Sequence, residues 1–136
     1  MKRAFVDANV ILRYLTRDPP EMAGAALRTM TAAQRGKVRL LLIPITVAEV
    51  VWVLESFYGH PKPNIAATLT QFLHADGLEV EDLDLLTEAL VLYHEHNLDF
   101  ADALVATRAR RKGPPAIYSF DRHFDRVMGL TRLTPG

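Results

Sequence analysis

Cysteine is absent from the 136 residues of this chain. That absence excludes disulfides, thiolate nucleophiles and cysteine-based zinc sites together. Net charge is also missing, because 16 basic residues balance 16 acidic ones. A strongly basic balance would point to nucleic acid directly; a balance of zero leaves the question to local patches. No apolar run approaches the ~18 residues that a membrane span requires. Residues 1–15 (MKRAFVDANVILRYL) begin with basic residues, but Asp7 and Asn9 break the apolar stretch and no small-residue cleavage site follows, so this is not a signal-peptide pattern. Cytoplasm, with no membrane partner, is the resulting expectation. What is present is ordinary for a globular protein: 49% apolar and 24% charged residues, enough to bury a core and too apolar for disorder. Neither repeat, low-complexity tract nor linker appears, so a single domain over residues 1–136 is expected.

Hydrophobic spacing divides the chain into short alternating segments. Residues 3–6 are a β-prone run, and Val10, Ile11, Tyr14 and Leu15 recur at helical spacing until Pro19 and Pro20. Residues 21–35 read as an alanine-rich helix ended by Gly36, and Leu40–Ile43 as a buried strand bounded by Pro44. Thr46–Tyr58 is helical but apolar on nearly every side, which predicts a helix covered on both faces, by the core and by a second subunit or more core. Further helices are expected over 64–74, 83–95 and 99–112, with strands at 78–80, 116–120 and, at an edge, 130–133. Strands alternating with helices indicate an α/β sandwich with a mainly parallel sheet. In such sheets ligands bind beyond the carboxyl ends of the strands.

Acidic residues stand at those places. Asp7 follows the first strand and Asp121 follows the 116–120 strand, while Glu49 and Asp102 fall in the first turns of helices. Two carboxylates ~4 Å apart repel by about 4 kcal/mol at an effective dielectric of roughly 20. A divalent cation removes that conflict, and oxygen-only ligands suit Mg²⁺ or Mn²⁺. Each acid has a second reading as well. Thr46-x-x-Glu49 has the form of a capping box, Asp99 and Asp7 stand where helix N-caps stand, and Asp121 can open a turn. Local sequence leaves both readings open.

Four segments taken together resemble the PIN-domain family, specifically its VapC-like toxins. FVDANVILRYL resembles the family's strand–Asp–x–Asn–helix opening, ITVAEVVWVL the segment bearing its second acid, DFADALVATRAR the third motif, and IYSFDRHFDRVMGLTRLTP the last. They occur in the family's order over almost the whole chain. The resemblance implies a three-layer sandwich with a parallel five-stranded sheet and helices on both faces. It also implies an endoribonuclease requiring Mg²⁺ or Mn²⁺, with Asp7, Glu49, Asp102 and Asp121 as the acidic set. Asn9 and Ser119 match polar supporting positions, and Asp99 supports Asp102. Asp125 competes with Asp121, which is preferred because it directly follows the strand. Similar proteins pair with an antitoxin protein and form homodimers, and small size favours a toxin over a housekeeping RNA-processing enzyme.

Other features are weighed separately. Arg108, Arg110, Arg111 and Lys112 crowd one helix end, where cations complement the helix dipole; their alternative use is contact with RNA phosphates. His94 and His96 are two apart and face different sides of a helix, which argues against zinc. His123 reads as a turn residue, and Trp52 as a core or dimer contact before an RNA-stacking platform. An aspartate phosphotransferase of the haloacid-dehalogenase type needs a second Asp where Asn9 stands, and a receiver domain needs paired acids after its first strand. The remaining rival is a domain that binds RNA or protein without cutting.

Overall fold

A computed structural model describes residues 2–136. The order of elements is β1 (Lys2–Phe5), α1 (Ala8–Thr16), α2 (Pro20–Gln34), β2 (Val38–Leu42), α3 (Pro44–Ser56), α4 (Lys62–Leu73), β3 (Leu78–Val80), α5 (Leu83–Glu95), α6 (Phe100–Lys112), β4 (Ala116–Tyr118), a 3₁₀ turn (Arg122–Arg126) and β5 (Thr131–Leu133). The fold is α/β and all its strand pairs are parallel. The expected continuous five-stranded sheet is not what forms. The described residues make a three-stranded sheet in the order β1-β2-β3 and a separate pair, β4-β5. β4 starts at Ala116 as expected but stops at Tyr118, where the Ser119 hydroxyl, accepting from the Asp121 N–H, and the Asp121 carboxylate, accepting from the His123 N–H, open the turn that follows. The ladder bonds of β4 go to β5.

Helix boundaries follow local chemistry. α3 begins two residues before Thr46, because Pro44 occupies the first turn, where a missing N–H is harmless and φ is already set. Thr46 is therefore inside the helix and the capping-box reading of Thr46 and Glu49 fails. Val47, Val50, Val51 and Leu54 bury one face of α3, while Ile45 (74% exposed) and Trp52 (64%) remain in solvent on the other. The chain's own core covers one face of this helix only, so the more-core alternative for its other face does not hold. Two glycine-dependent joints frame the first sheet. Gly36 (φ 77°) ends α2, and Gly77 (φ 88°) lies so close to Ala33 that an added Cβ would sit 2.4 Å from its carbonyl oxygen.

The core runs through the α5–α6 pair. Leu86, Ala89, Leu90 and Tyr93 from α5 are buried with Ala103 and Ala106 from α6. Alanines at the contact let the two helices approach closely, and that fixes where the start of α6 stands relative to α3 and β4. No helix among the described residues is long and apolar enough to cross a membrane.

Candidate active site

Three of the acids are held by the backbone that follows them. Asp7 is the N-cap of α1, its Oδ1 accepting from the Ala8 N–H at 2.9 Å. Asp99 caps α6, its Oδ1 accepting from the Phe100 N–H at 3.1 Å. Asp121 caps the 3₁₀ turn through a 2.8 Å bond from the His123 N–H. In each case the bond engages Oδ1 alone, so capping and ligand binding are compatible uses of one side chain.

Asp102 differs. It lies in the first turn of α6, half-buried, and its carboxyl is pushed above the usual range by burial first, then by the charges of Asp99 and Asp121, with His123 partly offsetting. These couplings put Asp99, Asp102, Asp121 and His123 in one electrostatic neighbourhood, where the start of α6 meets the end of β4. His123, read from sequence as a turn residue, has Nδ1 3.3 Å from Asp121 Oδ1. Ser119 steadies the same corner: its hydroxyl accepts from the Asp121 N–H at 2.9 Å and its carbonyl accepts from Arg132 at 3.0 Å. Asp125 pairs with Arg132 at 2.9 Å, an ion pair that pins β5 and draws this acid to a structural role.

Asp7 and Glu49 do not enter the charge environment that raises Asp102. Glu49 is exposed in the second turn of α3, and Asn9 lines a groove between α1 and α2 together with Arg13 and Met22. Among the described residues no three His, Asp or Glu side chains close on a point that could hold a metal ion. The donor set nevertheless fits a hard dication in kind: it is all carboxylate oxygen, and crowding of like charge around half-buried Asp102 is a conflict that positive charge relieves.

The basic cluster at the far end of α6 divides in two. Arg110 and Arg111 pair with Glu88 at 2.8 and 2.9 Å, and Arg110 also donates to the Met128 carbonyl at 3.1 Å. Arg108 has a long 3.5 Å bond to the Gly113 carbonyl, and Lys112 has no ion-pair partner among the described residues. One buried polar contact had only a faint sequence signal. Glu55 continues the Val47–Val51 stripe of α3, and its Oε1 accepts from Tyr93 Oη.

The family model described as the PIN domain matches residues 4–130. A VapC ribonuclease of Aquifex aeolicus (strain VF5) is 24% identical over 130 residues, covering 96% of this chain and 95% of the relative. No solved structure matches. With a match reaching from β1 to the residue before β5, the chain belongs to the PIN-domain family.

Proposed function

We propose that this protein is an endoribonuclease that depends on Mg²⁺ or Mn²⁺ and acts in the cytoplasm as the toxin of a toxin–antitoxin pair. The observation that carries the reading is half-buried Asp102 beside Asp99 and Asp121, a concentration of like charge that His123 alone offsets. The similarity to a VapC ribonuclease supports RNA as the substrate. Asp7, Glu49, Asp102 and Asp121 would hold the ion, which when bound supplies Lewis acidity toward a phosphodiester and lowers the pKa of water. Asp99 keeps the first turn of α6 in register, so Asp102 presents its carboxylate from a fixed backbone. Ser119 orients Asp121 through its backbone N–H, and Asn9 stands as a polar support two residues after Asp7. Arg108 and Lys112, the less engaged cations of α6, would meet RNA phosphates.

A homodimer belongs to the same reading. Phe5, Tyr118 and Phe120, 70%, 71% and 78% exposed, are apolar side chains that the chain itself leaves uncovered. The cognate partner would be an antitoxin protein.

One observation favours a second reading, RNA or protein binding without cleavage: the described acids do not converge on a single point. Cleavage decides between them. Purified protein should cut RNA in Mg²⁺ or Mn²⁺ and stop with chelator, while Asp7→Asn and Asp102→Asn should be folded by circular dichroism and inactive. Undiminished cutting by both variants would refute the acidic centre; RNA retention without cutting would establish the binding module.

A further inference from the structure

Between α3 and the start of α6 lies a cavity of ≈ 160 Å³, lined by residues that include Ala48, Trp52, Glu55, Ser56, Asp99 and Phe100. Its volume is the share of about five waters, room for one planar heterocycle. Asp99 is common to this cavity and to the acidic neighbourhood, since its charge acts on Asp102. Trp52 is the chain's single tryptophan and stays 64% exposed on a helix whose other face is core. Glu55 is half-buried and held by the hydrogen bond from Tyr93. Burial, reinforced by the Glu55 charge, pushes the Tyr93 phenol far above its ordinary range, so it stays a donor. Lys62 Nζ lies 4.6 Å from the Tyr93 ring centroid and donates to the Leu98 carbonyl at 2.7 Å, which ties the same tyrosine to the residue before Asp99.

We infer that this cavity receives the base of a nucleotide beside the cleaved phosphate, that Trp52 stacks on its face, that Glu55 accepts from its edge, and that the base is guanine. The inference rests on the ribonuclease reading above. The lining selects the ligand. Glu55 and Asp99 only accept when ionised, while the Ser56 hydroxyl does either, so the two carboxylates favour a ligand edge that donates and disfavour a phosphate. Guanine carries two adjacent donors on one edge, N1–H and N2–H; adenine and cytosine carry one amino group and uracil one imino group. A carboxylate offers about four acceptor sites, so the Tyr93 bond leaves Glu55 able to take both. Base stacking on an aromatic side chain is worth about 5- to 150-fold in affinity and suits any base, which leaves discrimination to Glu55.

Because Trp52 is unique, its emission reports on this cavity alone. Short oligoribonucleotides are titrated into protein held in chelator, with anisotropy of a dye on the RNA recording binding in parallel. Guanine-containing RNA should quench Trp52 saturably and bind about tenfold more tightly than RNA without guanine. E55Q, whose amide oxygen can still accept from Tyr93, should keep the quench and lose the preference. In Mg²⁺, cleavage products of W52A and E55Q should lose the wild-type base bias beside the cut. RNA that binds without changing Trp52 emission overturns the cavity assignment and leaves the ribonuclease reading standing. Emission that responds to protein dilution instead of RNA does the same, and gives Trp52 to a contact between copies. A quench without base preference in the wild type overturns guanine, and RNA that is neither bound nor cut removes both inferences.

Discussion

The two ends of α6 carry opposite charges and dispose of them differently. At the carboxyl end, Arg110 and Arg111 share Glu88, and the helix dipole favours all the cations. At the amino end, Asp102 is half-buried beside two further carboxylates, and only His123 offsets them. The first arrangement is complete without a ligand. The second gains from added positive charge, and that asymmetry is the physical ground on which the proposed chemistry is placed at the amino end.

Neutralising one acid at each end breaks or sharpens the comparison most directly. Asp102→Asn should lower RNA cleavage by more than about 100-fold, the upper range for losing even an outer partner of a metal ligand. In chelator, the same variant should melt at a higher temperature than wild type near neutral pH. The sign follows from linkage: the folded carboxyl is held above its unfolded value, so the native state binds more protons and stability falls as pH rises through the raised range. A lower melting temperature for Asp102→Asn in chelator would break the contrast.

Next in size is the salt dependence of RNA binding. Replacing Arg108 and Lys112 together by Gln should reduce the slope of log affinity against log salt by about 1.4, the value for two contacts to a single strand. Replacing Arg110 and Arg111 should reduce it less, because Glu88 already engages both. Equal slopes for the two pairs would dissolve the division of the basic cluster.

The smallest effect is expected at Glu88. Its carboxyl lies below the ordinary range, chiefly through the Arg111 hydrogen bond and then Arg110, against a desolvation penalty. A depressed pKa contributes stability that is present above the unfolded value and is lost as pH falls through the folded one. Glu88→Gln should cost on the order of 0.5–1 kcal/mol at neutral pH and nothing in strong acid, read by denaturant titration at both.

Much of this layout was legible in the chain because local rules govern it. Period and punctuation placed β3 and α5 at their observed bounds, and the Pro-Gly breaks isolated α6 and β4. The division of the sheet was not legible, since which strand β4 lies beside is a question of three-dimensional register that no local pattern encodes. Trp52 and Glu55 were obscured for a related reason. An exposed indole and a core indole have the same letter, and a carboxylate in an apolar stripe declares itself only when Tyr93, 38 residues away, meets it. Asp125 was ambiguous until Arg132 claimed it. For the acids, cap and ligand looked like competing explanations, and the structure removes the competition by using one oxygen for the cap.

That shared use decides how the protein can be dissected. Truncating Asp7, Asp99 or Asp121 to Ala deletes a helix-start signal worth about 1 kcal/mol together with a candidate ligand or, for Asp99, its support, so a silent alanine variant reports two losses at once. Asparagine keeps a side-chain oxygen for the turn and discards the negative charge. At these three positions the folding instruction and the proposed chemistry share one side chain, and only an isosteric change reads them apart.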